Sequence, residues 1–291
     1  MITANLIGGL ANQMFQYAFG RALSLELNQE LTLDISNFKN YKLHNGFELD
    51  KVFFIPAKIA SKSDIKRILG LQRLLIIQKI LSRPEFYRFA SNSFINEDNY
   101  SQRTHFSLEE EYYIKGYWQS EDYFFKYSND IRHDFLFKNK LMSKNDVTYK
   151  QIKSCNSVSL HVRRGDYLTI PEFANKYYIC PEDYYYKAIN LIKTKIENPH
   201  FFIFSDSMDW VKDKLIIDSP HTYVTNNSAL EGHFDMQLMS SCMHNIIANS
   251  SFSWWGAWLN LNTNKIVISP KRWFLNEHVS SKLIPDTWMQ I

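Results

Sequence analysis

Ser157-Val158-Ser159-Leu160-His161-Val162-Arg163-Arg164-Gly165-Asp166-Tyr167 is the stretch from which the fold is read. Its first half is a short apolar-patterned run, bounded as a buried strand is. Two adjacent arginines emerge where that strand ends. In an open α/β sheet, ligands bind at the carboxyl ends of the strands. A guanidinium there presents a planar fork that matches phosphate. The stretch therefore points to an anion site on a parallel sheet. A surface arginine–aspartate pair that merely closes a strand would have the same sequence, so the rest of the chain has to decide.

Downstream, the chain alternates regularly. A strand over 157–162 is followed by a helix over 182–197, with Pro181 at its start, where a missing N–H costs nothing. Strand 201–205, helix 208–215, strand 222–225, helix 229–243, strand 245–248, helix 251–261 and strand 266–269 complete the series. Repeated β-α units of this length predict a parallel, doubly wound sheet. The first half opens the same way. A strand over 2–7 runs into Gly8-Gly9-Leu10-Ala11-Asn12-Gln13, then a helical pattern carried by Met14, Tyr17, Ala18, Ala22, Leu25 and Leu27. Strand, double glycine and helix is a Rossmann-like layout, and glycines let backbone approach a ligand closely. The pair departs from Gly-x-Gly-x-x-Gly and from the P-loop, and a plain tight turn would use it too. A further helix is expected from about Ser120, with Glu121 and Asp122 at its positive end. Residues 138–156 are polar without periodicity and mark the boundary. The expected organisation is two domains, an N-terminal one over 1–150 and a C-terminal one over 151–291.

Composition narrows the function. The chain has 291 residues, 45% hydrophobic and 22% charged, as a globular protein does. A net charge of +3, dispersed along the chain, argues against nucleic acid. Cys155, Cys180 and Cys242 show no Cys-x-x-Cys spacing, so neither a disulfide scaffold nor a zinc site is expected. The N-terminus shows no basic region followed by an apolar stretch, so no signal peptide is expected. No transmembrane run of about 18 apolar residues occurs, and a cytoplasmic, reducing location follows.

Four loops at predicted strand ends gather polar groups: His161, Arg163, Arg164 and Asp166; Ser205-Asp206-Ser207; Asn249-Ser250-Ser251-Phe252-Ser253; and, in the first half, Asn12 after Gly8-Gly9. Ser250 or Ser251 suits a helix N-cap. The free N–H groups beyond it would face an anion, or be capped and nothing more. Trp254 and Trp258, four apart, share a helix face and are expected in the core. Asp206 would repel phosphate, so it is expected either to take the N1–H and amino protons of guanine or to cap helix 208–215. There is no Asp-x-Asp, no Glu-x-x-His and no His-x-x-x-His, so no metal site is expected. Over 61–90, Ile65, Ile68, Leu69, Leu75, Ile76 and Ile80 interleave with Lys62, Lys66, Arg67, Arg73, Lys79 and Arg83. Such a basic amphipathic segment either lies on an anionic membrane or packs on its own domain.

Gly8 to Tyr17, Gly116-Tyr117-Trp118-Gln119-Ser120, His161 to Tyr167 and Asn249 to Trp258 together resemble the bacterial α-1,2-fucosyltransferases of glycosyltransferase family eleven, over residues 5 to about 274. The His-x-Arg-Arg-x-Asp element is shared among several fucosyltransferase groups; Ser-Phe-Ser-Trp-Trp-Gly-Ala-Trp is narrower. The resemblance implies a GT-B-like α/β fold of two Rossmann-type domains facing across a cleft. It implies inverting transfer of L-fucose from GDP-β-L-fucose, a co-substrate, to the 2-hydroxyl of a galactose residue, with no metal or other cofactor. The acceptor would be a galactose-terminated oligosaccharide or lipid-linked glycan of the O-antigen or lipopolysaccharide type, which would keep the enzyme at the inner face of the cytoplasmic membrane.

By the same resemblance, Arg163 is the catalytic grip on the β-phosphate. His161 and Asp206 meet the guanosine end, and Ser250, Ser251 and Phe252 line the diphosphate pocket. Gly9 and Asn12 reach the donor from the other domain. Glu121, Asp122 and His44 are open candidates for a general base, and none is singled out. Two departures from the family pattern stand out. Ala11 replaces a usual glycine, which would be costly at a positive φ, and Ser207 replaces a second aspartate. A related transferase with another GDP-sugar or linkage, or a non-catalytic sugar- or nucleotide-binding relative, are the alternatives.

Overall fold

The computed structural model describes residues 1–41, 43–81, 83, 93–97, 100, 106–139, 141, 143–276 and 282–291. The chain divides into two units, Met1–Lys138 and Asn139–Ile291. The division lies before the 150/151 boundary expected from the sequence. The reason is local: residues 143–153, polar and without a clear stripe, form a helix, Ser143–Lys153, that belongs to the second unit. Its Asn226 and Asn227 contacts show why. Asn226 Nδ2 donates to the Lys144 carbonyl at 3.0 Å, and Asn145 Nδ2 donates to Asn227 Oδ1 at 2.9 Å. Polar anchoring of this kind leaves no apolar period to read.

The first unit holds strands β1 (Ile2–Asn5), β2 (Leu31–Asp34), β3 (Lys58–Ile59), β4 (Phe94–Asn96) and β5 (Tyr112–Lys115). They form one sheet in the order β3-β2-β1-β5-β4, every pairing parallel. The helix Leu10–Glu26 follows β1 directly. Gly20 lets it lie close on the sheet, because a Cβ there would come within 3.0 Å of Ala4 Cβ and 3.1 Å of Leu31 Cδ1. The helix expected from Ser120 is instead two 3-10 turns, Glu121–Tyr123 and Phe125–Tyr127, before an α-helix over Ser128–Asp134.

The second unit holds β6 (Asn156–Val162), β7 (Pro199–Ser205), β8 (His221–Tyr223), β9 (His244–Ile246), β10 (Val267–Ser269) and β11 (Met289–Gln290). Their order is β11-β10-β9-β6-β7-β8, again all parallel. Counted from β6, this is the doubly wound 3-2-1-4-5-6 order of a Rossmann sheet. The chain winds outward through β7 and β8, then returns to the other side of β6 to make β9. The strand order therefore reverses beside β6, and the carboxyl end of β6 is the topological switch point.

Burial explains why β6 sits centrally. Val158, Leu160 and Val162 are fully buried, packed with Tyr185, Ala188 and Ile192 of the helix Glu182–Lys195. The opposite face is also buried, which its serines tolerate because they are bonded: Asn245 Nδ2 donates to Ser159 Oγ at 2.7 Å. Leu160 lies in register with both Ile203 of β7 and Ile246 of β9. Truncating it leaves a cavity that neighbours on two strands cannot collapse into. Leu160→Ala is expected to destabilise the second unit by about 2–5 kcal/mol, read as a lowered urea midpoint with far-UV circular dichroism of the native protein unchanged.

Candidate active site

Parallel register builds the site. Val162 pairs with Ser205, so the next residues, Arg163 and Asp206, leave their strands side by side. Arg163 Nη1 lies 3.2 Å from Asp206 Oδ2, and Nη2 lies 2.6 Å from Asp166 Oδ2. Burial opposes the guanidinium charge, but the carboxylates of Asp206 and Asp166 outweigh it and its pKa is raised. The side chain keeps 27% of its surface accessible. A guanidinium carries five donors, so two carboxylate contacts do not exhaust it. Arg164 is used differently: its guanidinium lies 3.9 Å from the centroid of the Trp210 ring, a stacked cation–π contact. The two arginines, equivalent in sequence, thus separate into one held at the strand end and one clamped on a ring.

Asp206 departs from the expected cap of helix 208–215. Its Oδ1 accepts from the Arg164 N–H at 2.9 Å and its Oδ2 from the Gly165 N–H at 3.0 Å. It therefore caps the short helix Gly165–Thr169 rather than helix 208–214, and with Arg163 the two amides use part of its acceptor capacity. Gly165 makes this possible, since a Cβ there would stand 2.8 Å from Asp206 Oδ2.

His161 is buried, and its Nδ1 has no hydrogen-bond partner. Burial, reinforced by the Arg163 charge, pushes its pKa down to about 3, so the ring is neutral at physiological pH. A buried polar atom without a partner is a position left for a ligand or water. The Phe252 ring lies 5.8 Å from the imidazole, centroid to centroid.

Phe252 belongs to the helix Ser251–Trp258, which starts beyond β9 on the other side of β6. Ser250 occupies the N-cap in extended conformation, yet its side chain makes no capping bond. The first-turn N–H groups of a helix have no intrahelical acceptor, and here the cap hydroxyl does not take one either. Asn249 fixes this turn: its Nδ2 donates to the carbonyls of Trp273, at 2.9 Å, and Tyr178, while its own carbonyl accepts from Tyr167 Oη at 2.9 Å. Tyr167 thereby ties the arginine loop to the helix N-terminus. Trp254, Trp255 and Trp258 are buried beneath, as expected.

The sequence reading missed Asp235. It sits in the first turn of the helix Gly232–Ser241, where burial raises its pKa to about 6 and a hydrogen bond from Asn227 Nδ2, at 2.7 Å, works the other way. A buried carboxyl with a raised pKa is a functional candidate; earlier in the same helix, a Cβ on Gly232 would stand 3.7 Å from the Phe252 ring. The available hint was an acid interrupting the apolar run Phe234-Asp235-Met236.

In the first unit, the positive φ falls at Gly8, at 89°. Ala11 lies inside the helix Leu10–Glu26, so its replacement of glycine carries no strain. A Cβ on Gly8 would meet Asn12 Nδ2 at 2.8 Å, and one on Gly9 the His44 ring at 3.4 Å. Gln13 Nε2 donates to the carbonyls of Gly8 and Gly46, at 2.9 and 2.8 Å, and Gln16 Oε1 accepts from the Ile7 N–H at 2.9 Å. Asn12 Oδ1 accepts from Gln119 Nε2 at 2.8 Å. Glu121 and Asp122 sit in a 3-10 turn that Ser120 caps. The structure thus gathers His161, Arg163, Asp206, Ser250, Ser251 and Phe252 on one sheet edge, and places Gly9 and Asn12 at the equivalent edge of the other unit. Among the described residues, no cluster of three or more His, Cys, Asp or Glu could hold a metal ion.

The model of glycosyl transferase family 11 matches residues 1–290. The chain belongs to this family. An α-1,2-colitosyltransferase of Escherichia coli is 36% identical over 295 residues, covering 100% of this chain and 99% of that one. The O-antigen biosynthesis glycosyltransferase WbnK, also of Escherichia coli, is 33% identical over 311 residues, covering 98% and 99%. Among solved structures, NodZ α-1,6-fucosyltransferase soaked with GDP-fucose superposes with a TM-score of 0.54 at 16% identity, covering 89% of this chain and 91% of that one. The fold is the two-Rossmann-unit GT-B type, and this family 11 chain is a glycosyltransferase.

His161 gives a test that needs no ligand. Its folded pKa lies below the ordinary histidine value, so the unfolded chain binds the proton first. Stability therefore falls as pH drops from about 6.5 toward about 3. His161→Gln removes this contribution. The wild-type-minus-variant difference in denaturation midpoint is expected to shrink across that window and stay flat above it; a pH-independent difference would contradict a neutral, buried imidazole.

Proposed function

We propose that this family 11 transferase moves L-fucose from GDP-β-L-fucose to the 2-hydroxyl of a galactose residue in a bacterial O-antigen-type glycan, with inversion and without a metal. The observation that carries the reading is Arg163, held by Asp206 and Asp166 at the switch point of the sheet, with the N-terminus of the Ser251–Trp258 helix on the neighbouring strand. Supporting it are the O-antigen role of one whole-length relative, the 1,2-linkage made by the other and the GDP-fucose soaked into a protein of the same fold.

The chemistry follows from where charge develops. As the fucosyl–phosphate bond breaks, the sugar takes on oxocarbenium character and the departing GDP gains negative charge. Charge-assisted bonds from Arg163, and from N–H groups in the first turn of the Ser251–Trp258 helix, strengthen as that charge grows, which is the condition for accelerating the chemical step. The two carboxylates hold the guanidinium in one orientation, so little reorganisation is needed. His161 offers its unpaired Nδ1 to the nucleoside. Asp206 already accepts from Arg163 and two amides, and we assign the amino and N1–H edge of the guanine to it together with the buried Asp235.

The colitosyltransferase similarity supports a second reading, in which the donor is GDP-colitose. Colitose is fucose without its 3-hydroxyl. A site that hydrogen-bonds this hydroxyl rejects the deoxy sugar by about 10⁴-fold or more, whereas an apolar pocket discriminates only on the order of 100-fold. Comparing kcat/KM for the two donors on a β-galactoside acceptor decides between them; nucleotide-sugar binding without turnover of either would favour a non-catalytic relative.

Arg163→Ala is expected to lower turnover about 100- to 1000-fold with an unchanged circular dichroism spectrum, and Arg163→Lys to recover little, because an ammonium cannot form the planar fork. More than a tenth of wild-type turnover in the alanine variant would remove Arg163 from this role. Transfer is expected to continue unchanged in excess EDTA; its loss there, with recovery on adding a divalent cation, would overturn the metal-free scheme.

A further inference from the structure

The basic amphipathic segment is not used by the donor site, and its two halves behave differently. The helix Lys62–Leu69 buries its apolar face in the ordinary way, with Ile68 and Leu69 packed against Phe94 and Tyr113. At Gly70 the chain turns through a φ of 52°, and beyond it the pattern inverts. Leu71 and Ile76 are 75% and 74% exposed, and Leu74 and Ile80 are 49% and 43% exposed. They lie in a 3-10 turn over Gly70–Arg73, the residue after it and a helix over Leu75–Leu81. Leu75 and Lys79 have side chains outside the described set, as do residues 82 and 84–90 of the segment.

Cations stand among these apolar groups. Lys62, Lys66, Arg73 and Arg83 are exposed, and none of them forms an ion pair among the described residues. Asp64 is the one acid between 61 and 83, and it is bound to Arg67, which also pairs with Glu111. Singly exposed leucines are ordinary, but four large aliphatic side chains within ten residues, interspersed with cations, form a contiguous feature. A dissolved anion would satisfy the cations and leave the aliphatic groups in water. An apolar groove would do the reverse. A bilayer surface with anionic headgroups satisfies both, because the aliphatic chains enter the acyl boundary while lysine and arginine stay at headgroup level. No helix among the described residues is long and apolar enough to cross a membrane, so contact of this kind is peripheral.

We infer that residues 70–81 and Arg83, with Lys62 and Lys66 beside them, form a docking surface for an anionic lipid bilayer. The full-length chain is floated with vesicles of phosphatidylcholine alone and of phosphatidylcholine mixed with phosphatidylglycerol, at low and high salt. Binding is expected to the mixed vesicles only and to weaken with salt. Leu71→Ser with Ile76→Ser, and separately Lys66→Glu with Arg73→Glu, are each expected to reduce it about tenfold or more. Lys66→Arg with Arg73→Lys keeps it. All variants are expected to retain the wild-type thermal midpoint and transfer to a soluble acceptor. Vesicle binding is measured without donor, so its failure leaves the fucosyl reading standing, and the converse holds.

Three results would overturn the inference: no binding of the wild type to anionic vesicles; binding by both variants as strong as that of the wild type; or a wild-type dimer that the Leu71/Ile76 variant dissolves, which would show that a second copy covers the surface.

Discussion

The carboxylate of Asp206 holds the donor-side site together. It accepts from the amides of Arg164 and Gly165 and pairs with the guanidinium of Arg163. One side chain thereby joins the end of β7 to the end of β6 and fixes how the arginine leaves its strand. The arrangement also resolves an electrostatic difficulty. Two carboxylates beside one arginine would oppose an incoming diphosphate, but a carboxylate that accepts two backbone N–H groups and a guanidinium presents little bare charge. The constraint passes to Gly165, because any side chain there would collide with Asp206 Oδ2.

A second constraint comes from the other side of β6. The helix Ser251–Trp258 can offer its N-terminus only if its position is rigid, and it is anchored at both levels. Asn249 and Tyr167 bind the turn before it. Below, Trp254, Trp255 and Trp258 are buried against one another, with Trp254 Nε1 donating to the Leu283 carbonyl at 2.9 Å. Large aromatic side chains add burial and fixed geometry together. The first unit solves a similar problem with amides instead. Gln13 and Gln16 satisfy the backbone of the Gly8-Gly9 turn, which keeps a loop with few side chains of its own in one conformation.

β1 and β6 to β10 were legible because parallel strands buried on both faces are short apolar runs between helices of a different period; β2 to β5 and β11, two to four residues long, were not. The arginine loop was legible because its residue types are rare at a strand end. Other features were not. The Ser143–Lys153 helix has no apolar stripe and is held by asparagine side chains from a distant loop. Asp235 looks like any first-turn acid until its burial is known. The segment after Gly70 has the apolar period of a packed helix, and only the fold shows that Leu71 and Ile76 are exposed among the described residues.

Sequence alone determined the α/β class, the alternation of strand and helix, and the short list of polar loops, because these depend on periodicity and on residues within a few positions of one another. Tertiary structure decided the tasks within that list. Arg163 faces two carboxylates while Arg164 stacks on Trp210, Asp206 binds the backbone of the arginine loop rather than capping helix 208–214, and the positive φ falls at Gly8 rather than at Ala11. Each of these depends on which strands lie side by side and in what register, and neighbours more than forty residues apart in the chain, such as Arg163 and Asp206, meet only once the sheet has formed.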